Sequence, residues 1–391
     1  MRKQNRILVV LLLSTIIIFS LSVPCFAQEK TYLPSVTPGS LELNCKSAVL
    51  MDAATGKILY EQSSDLALPP ASVTKVMTLL LVMEAVDSGK ITLNQMVSAS
   101  EYAASMGGSQ IYLKVGESMS VEDMLKSVII SSANDAAVAL AEYVFGDVDS
   151  FVRQMNTKAT ELGMTSTHFE NVTGLDDTAQ NHLTSAKDIA IMSRELIKHP
   201  TILKYSSIWM DTIRNGAFGL TNTNRLIRFY PGATGLKTGS TSKAGFCVSV
   251  TAQRDGLSLI CVIMGAESRD IRNAQATKLL DWGFANYAAF QNEGETLAPV
   301  RVTGGTASLC SAKHESFCTI VPKGRNGDVQ KKICINNNIS APVHMGDCIG
   351  TVEYYLDGNL IGSVDITATQ DVPKINFWGI WIRLIQKILI C

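Results

Sequence analysis

The spacing of apolar positions along the chain moves from a short period to a helical one and back, and these changes divide it. Residues 47–51 and 57–61 are short apolar-rich runs joined by Asp52-Ala53-Ala54-Thr55-Gly56, which predicts two strands closed by a hairpin turn. Pro69-Pro70 then interrupts the chain. An apolar stretch of helical length follows over residues 72–86 and stops at Ser88-Gly89. From Leu93 to about Gly219 the pattern is mostly helical. Residues 121–145 read as a helix pair broken at 131–134. Residues 185–198 read as a helix with Asp188 in its first turn, where a carboxylate suits the positive helix end, and His199-Pro200 beyond its last turn. From Gly235 the short period returns. Residues 236–241, 245–253 and 257–265 predict three strands, the last two joined by Arg254-Asp255-Gly256. Residues 273–287 return to helix.

Strands at both ends of one region, with helices between them, predict a single sheet assembled from distant segments. The expected class is α+β, an antiparallel sheet flanked by helices and carrying a helical insert, over residues 46–290. A polar break near 291–296 precedes short alternating runs, among them residues 350–355 and 360–366 with Asp357-Gly358 as the turn between them. These predict a small all-β domain over 296–372. No internal repeat is visible.

The two ends differ from the middle. Met1 to Arg6 is basic, Ile7 to Val23 is apolar, and Pro24-Cys25-Phe26-Ala27 places small residues at the −3 and −1 positions of a cleavage site. Residues 1–27 therefore read as an export signal and 28–45 as a lead-in segment. An uncleaved membrane helix is the competing reading, which the shortness of the apolar run disfavours. A lipid-modified Cys25 fits poorly behind Pro24. At the other end, residues 375–391 predict an amphipathic helix too short to span a bilayer. Gly379, Arg383, Gln386 and Lys387 share one narrow face and Trp378 and Trp381 stand near its start. This pattern suits a membrane interface, the competing reading being a helix docked on the protein's own core.

Composition narrows the partners. Charged residues make up 18% of the 391 and the formal net charge is −1; loss of Arg2, Lys3 and Arg6 with the signal leaves 31 basic residues against 35 acidic. That balance argues against nucleic acid. Eight cysteines remain beyond residue 27. Cys247 and Cys261 fall in apolar strand runs and read as buried thiols, whereas Cys310, Cys318, Cys334 and Cys348 cluster late in the chain. Export would permit a disulfide among those four, with pairing left open; a zinc site is disfavoured because no Cys-x-x-Cys occurs.

Three short motifs carry the chemistry. Ser72-Val73-Thr74-Lys75 follows the double proline at the predicted start of an apolar helix. A spacing of three holds the lysine beside the serine hydroxyl, and a neutral amine can serve as its base. The helix N-terminus also directs N–H groups at Ser72. Ser132-Ala133-Asn134 falls at the helix break, where a hydroxyl and an amide can face a cleft. Lys237-Thr238-Gly239, followed by Ser240-Thr241, lies on a strand. There Lys237 and Gly239 share a face, and Gly239 presents no side chain to an approaching peptide backbone that adds to the edge. Taken singly these are a helix cap, an inter-helix turn and a charged edge strand. Their order and structural setting together are far more specific.

With Ala71-Ser-Val-Thr-Lys-Val-Met-Thr78, Ser131-Ser-Ala-Asn-Asp-Ala-Ala137 and Gly235-Leu-Lys-Thr-Gly-Ser-Thr241, the chain resembles the low-molecular-weight penicillin-binding proteins, and among them the D-alanyl-D-alanine carboxypeptidases. Asn171-Val-Thr-Gly-Leu175 and Asp281-Trp-Gly-Phe284 share that look, and the resemblance covers nearly the whole chain. It implies a β-lactamase/transpeptidase-like catalytic domain, a small β domain and a C-terminal membrane anchor, on the outer face of the cytoplasmic membrane. It further implies removal of the terminal D-alanine from peptidoglycan stem peptides ending in D-Ala-D-Ala, covalent inhibition by β-lactams, and no cofactor or metal. The implied roles are Ser72 as nucleophile, Lys75 as its base, and Ser132 as proton relay to the leaving amine. Asn134 would hold Lys75 and the substrate amide, Lys237 and Thr238 would bind the terminal carboxylate, and Arg272 would assist them. Backbone N–H groups of Ser72 and Ser240 would form the oxyanion hole. Some members carry His where this chain has Ser240; only the backbone there is needed.

Other classes fit less well. None of the five histidines lies in a serine-hydrolase motif and no Gly-x-Ser-x-Gly occurs, which disfavours a Ser-His-Asp hydrolase; His182 near Asp188 reads as structure at a helix start. A class A-like β-lactamase would need a carboxylate to activate water between Asn134 and Lys237, where Glu170-Asn171 lacks the surrounding pattern. A non-catalytic cell-wall-binding protein would not need all of Ser72, Lys75, Ser132 and Lys237. Endopeptidases and transpeptidases share the motifs.

Overall fold

The structure is a computed structural model and describes residues 41–176 and 179–390. The expected signal segment and most of the lead-in lie outside the described residues. The first hairpin forms as predicted, from β1 (Ser47–Asp52) and β2 (Ile58–Gln62). A 3-10 turn, Ala71–Thr74, then leads into α1 (Lys75–Asp87), so the regular helix begins three residues later than the apolar pattern suggested. The helical insert comprises α2 (Glu101–Ala104), α3 (Val121–Ser131), α4 (Asn134–Phe145), α5 (Val148–Glu161), α6 (Ala186–Leu196), α7 (Pro200–Ser206) and α8 (Leu226–Phe229). Two short ribbons interrupt it, β3 (Met96–Ser98) with β4 (Ser118–Ser120) and β5 (Met210–Ile213) with β6 (Phe218–Thr221). Ser120, Asp147 and Ser185 cap α3, α5 and α6, each accepting a hydrogen bond from a backbone N–H three residues on.

β7 (Ala233–Thr241), β8 (Gly245–Arg254) and β9 (Leu257–Ala266) complete a five-stranded sheet in the order β2-β1-β9-β8-β7, antiparallel throughout. Its central strands are covered on both faces. Val49 and Met51 of β1 enter one apolar cluster with α1, α3, α4 and α6, while Ala48 and Leu50 enter another with α9 (Arg269–Asn286). This explains why β1 and β9 read as continuous apolar runs: no strand face is left to water. α1 lies inside the first cluster and buries residues from every side, which accounts for its lack of a polar stripe. β7 is the outer strand of this sheet, and the 3-10 turn packs against it.

The helix expected over 273–287 begins earlier, at Arg269, because Ser268 accepts a hydrogen bond from Ile271 N and caps it. It ends at Asn286, and Tyr287 opens β10 (Tyr287–Asn292) in what the sequence suggested was partly a polar break. The break is only Glu293-Gly294, before β11 (Glu295–Arg301). β12 (Leu309–His314), β13 (Phe317–Pro322), β14 (Gln330–Ile335), β15 (Cys348–Leu356) and β16 (Asn359–Ala368) follow. They form a five-stranded sheet, β11-β12-β16-β15-β14, and a β10-β13 ribbon. This all-β domain has its own core, in which Phe317 stacks on Tyr354 at 4.2 Å between ring centres. β10 belongs to both bodies: Tyr287 packs in the cluster under α9 and Phe290 against the β-domain core. The seven described cysteines are all free thiols, so the disulfide allowed for in the C-terminal third is absent among the described residues. Cys310 is buried and donates to Gln370 O, away from any partner sulfur. α10 (Phe377–Ile390) ends the described chain with Trp378 and Trp381 exposed.

Candidate active site

The site forms where the 3-10 turn, the α3–α4 junction and β7 meet. In a 3-10 turn residues three apart eclipse one another, which sets Lys75 directly beside Ser72. Lys75 Nζ lies 2.9 Å from Ser72 Oγ and donates to Thr173 O at 2.9 Å. Its residue is 0% exposed, and burial first and then the charge of Lys237 hold its pKa well below the ordinary lysine value, against the opposing pull of Asp135. Asp135 is itself buried and accepts from Ile111 N and Leu113 N, which fixes a negative charge behind the lysine.

Ser132 caps α3 in the left-handed conformation, at φ 64°, and Ala71, immediately before Ser72, sits at φ 49°. Such backbone strain in non-glycine residues costs about 1–3 kcal/mol at each position and persists where surrounding contacts hold it. The buried Ser132 Oγ has no hydrogen-bond partner. Asn134 begins α4; its amide donates to Gly107 O at 2.7 Å and its buried Oδ1 is without a partner. The expected grip of Asn134 on Lys75 is therefore not made. Thr173 O fills that position, because the loop at 171–175 is pressed onto the turn. Gly174, at φ +82°, passes so close that a Cβ there would lie 1.8 Å from Ala71 O. Asn171 Oδ1 pins the loop by accepting from Thr173 N and Gly174 N.

β7 supplies the opposite wall. Lys237 is 0% exposed, donates to Thr238 O at 3.0 Å, and is lowered to about 7 by burial and then by Arg272. Thr238 Oγ1 donates to Thr223 Oγ1 at 2.8 Å. Gly239 is needed because the strand crosses the turn closely: a Cβ there would meet Pro70 O and Ser72 N, each at 2.8 Å. The exposed Ser240 continues the wall. Arg272, from α9, is buried, donates to Asn273 Oδ1 at 2.9 Å, and is lowered to about 10 chiefly by burial and by Arg269. Ser72, Ser132, Thr238, Gly239, Ser240 and Arg272 line one cleft of about 700 Å³, which is joined by Ser109, Trp209, Thr223, Arg225 and Arg269 and holds no acidic residue among its lining.

Six of the sequence-predicted residues thus line one cleft, while Lys75, Asn134 and Lys237 are buried outside its lining, Lys75 in contact with Ser72. Sequence reasoning missed Thr173, Asp135 and Thr223. The first two stood inside quoted motifs, yet a backbone acceptor and a charge acting through space leave no mark in residue spacing. His182 does not belong with Asp188. Its Nδ1 accepts from Glu170 N at 2.9 Å and its Nε2 lies 2.7 Å from Thr74 Oγ1, so it braces the turn from behind. Burial first lowers it to about 4. Asp188 instead accepts from Ser166 N and Thr167 Oγ1.

This geometry can activate a hydroxyl with a buried amine and receive a carboxylate at a cationic wall. Comparison with known proteins gives the same direction. A family model described as D-alanyl-D-alanine carboxypeptidase matches residues 34–268, and one described as penicillin-binding protein 5, C-terminal domain, matches 289–374. The chain is 44% identical over 339 residues to D-alanyl-D-alanine carboxypeptidase DacF of Bacillus subtilis, covering 85% of this chain and 87% of that one. Among solved structures, penicillin binding protein 5 from Haemophilus influenzae matches with a TM-score of 0.76 at 33% identity, over 87% of this chain and 100% of that one. Penicillin-binding protein D2 from Listeria monocytogenes, in its ampicillin-bound form, matches with a TM-score of 0.58 at 33% identity, over 63% of this chain and 100% of that one.

Proposed function

The chain belongs to the D-alanyl-D-alanine carboxypeptidase family and is a serine-type D-Ala-D-Ala carboxypeptidase of the penicillin-binding kind, and we propose that Ser72 is the nucleophile through which it removes the terminal D-alanine. The observation that carries this reading is the fully buried Lys75 amine 2.9 Å from Ser72 Oγ. A neutral Lys75 takes the Ser72 proton as Oγ attacks the carbonyl between the two D-alanines. Its remaining N–H groups stay oriented by Thr173 O. Backbone N–H groups of Ser72 and Ser240 receive the developing oxyanion, each donor contributing roughly 3 kcal/mol. Ser132, with its hydroxyl unengaged, passes a proton to the leaving amine. Asn134 Oδ1, buried and without a partner, accepts the substrate's amide N–H rather than holding the lysine. Thr238, Lys237 and Arg272 meet the terminal carboxylate, and the outer edge of β7 takes the peptide as an added strand. Water then hydrolyses the Ser72 ester. Labelling with a fluorescent penicillin and mapping the adduct tests this: attachment at Ser72, and its loss in Lys75→Ala, are expected. Attachment elsewhere, or near-normal labelling of Lys75→Ala, overturns the assignment.

A β-lactamase is disfavoured by the same cleft. Glu170, the nearest sequence candidate for activating water, has its carboxylate occupied by Gln180 N and Asn181 N. A long-lived penicillin adduct is expected in place of rapid turnover. A purely wall-binding role would leave the buried Lys75–Ser72 pair without a use.

The proposal extends to placement. Export by residues 1–27 would put the enzyme outside the cytoplasmic membrane, and α10 would lie in its outer surface. No helix among the described residues is long and apolar enough to cross a membrane. Ile380, Trp381, Ile382, Leu384 and Ile385 of α10 are all exposed, as an interfacial helix requires. Sedimentation with anionic lipid vesicles tests this, with binding expected for the whole chain and lost on removal of residues 375–391.

A further inference from the structure

Past Thr238 the cleft carries more positive charge than one terminal carboxylate uses. Arg225 and Arg269 line it beside Arg272, both are exposed, and neither pairs with a carboxylate among the described residues. Arg269 and Arg225 both stand near enough to Arg272 for their charge to lower it. The neighbouring wall adds a second, independent observation. Trp209 lines the cleft, and its indole N–H is buried without a hydrogen-bond partner. The ring is set by an edge contact with Phe229 at 6.3 Å and by the Arg228 guanidinium, which lies over both rings at 5.6 and 5.5 Å. A partnerless indole donor in the wall that also carries two arginines facing no carboxylate points to an anion as the missing partner.

We propose that Arg225, Arg269 and the Trp209 indole N–H form a second anion-binding subsite, which selects leaving residues carrying a side-chain carboxylate in addition to the α-carboxylate. The inference rests on the reading of Ser72 as nucleophile, and the chemistry is the same hydrolysis. The Ser72 ester forms at the penultimate D-alanine carbonyl and the C–N bond breaks. The acidic D-residue then departs as the free amine with the proton passed to it, and water cleaves the ester. Lys237, Thr238 and Arg272 hold the α-carboxylate, which leaves the other two arginines for the side chain.

The test measures kcat/KM for release of the last residue from peptides with one common acyl part ending in D-Ala-D-Ala, D-Ala-D-Glu or D-Ala-D-Lys. The wild type is expected to prefer D-Glu to D-Lys by about tenfold or more, the scale of one charge-assisted hydrogen bond. That ratio should fall towards parity in Arg225→Gln and invert in Arg225→Glu, and Trp209→Phe should lower it. A wild-type ratio of one, or a ratio unmoved by both Arg225 variants while D-Ala-D-Ala is still cleaved, overturns the subsite. Failure of the wild type to cleave even D-Ala-D-Ala would overturn the underlying reading along with it.

Discussion

Replacing Gly239 with alanine tests how closely β7 must cross the nucleophile's turn. The added Cβ would stand 2.8 Å from Pro70 O, 2.8 Å from Ser72 N and 2.9 Å from Val73 N. All three are backbone atoms, so none can rotate aside. Ordinary contact begins near 3.4 Å, so strand and turn must part by about 0.6 Å. A misplacement of about 1 Å at reacting groups costs on the order of 10²-fold in rate, and 0.6 Å should therefore cost about tenfold or more. Overpacking should also remove about 1–3 kcal/mol of stability. The assay is the rate constant of acylation by a fluorescent penicillin, with D-alanine release and Tm measured beside it. Gly219→Ala is the control, because nothing stands within 4 Å of its added Cβ. Gly239→Ala is expected to acylate at a tenth of the wild-type rate or less, whereas Gly219→Ala should match the wild type. Acylation of Gly239→Ala within twofold of the wild type would refute the claim that this close crossing positions Ser72.

Three further outcomes follow from the buried charges. Asp135 favours the charged form of Lys75, so Asp135→Asn should move the acid limb of the acylation pH profile to lower pH. It should also lower stability by about 2–3 kcal/mol through the lost charged hydrogen bonds; a limb that stays in place or moves up contradicts the coupling. Lys237 titrates at about 7 in the fold against an ordinary 10.5, so its burial costs stability fully below about 7, and the cost fades as pH rises towards 10.5, where the unfolded chain also loses the proton. Lys237→Met should therefore melt above the wild type at pH 7, with a gap that narrows by pH 10; thermal scans showing a constant gap would count against it. His182→Ala should lower Tm, since Glu170 N loses its partner at about 1–3 kcal/mol, while Thr74 Oγ1 loses one contact and keeps its hydrogen bond to Ala71 O. Because His182 is lowered to about 4, the acylation limb should stay where it is, and a limb displaced with the substitution would assign this histidine a titrating role.

Local pattern was enough for much of the fold. The β1–β2 hairpin, the helix break at Ser132 and the β8–β9 turn at Arg254-Asp255-Gly256 follow from turn residues and apolar period, which act over a few positions. The start of α9 differs from the apolar pattern because Ser268 caps the helix ahead of its apolar positions, and Tyr287–Asn292 is a strand because β10 is stabilised by pairing with β13 some thirty positions away.

The order of residues by itself determined which groups are present and which neighbours they have: Ser72 one turn from Lys75, a helix break carrying Ser132 and Asn134, and Lys237 two positions from a glycine. Only the tertiary structure decided their chemical state. Lys75 is pushed towards its neutral form by burial and by Lys237, 162 positions along the chain, and it is oriented by Thr173 O, 98 positions along. Desolvation and Coulomb interactions depend on distance through space, and chain separation carries no information about that distance until the sheet and the insert have closed on each other.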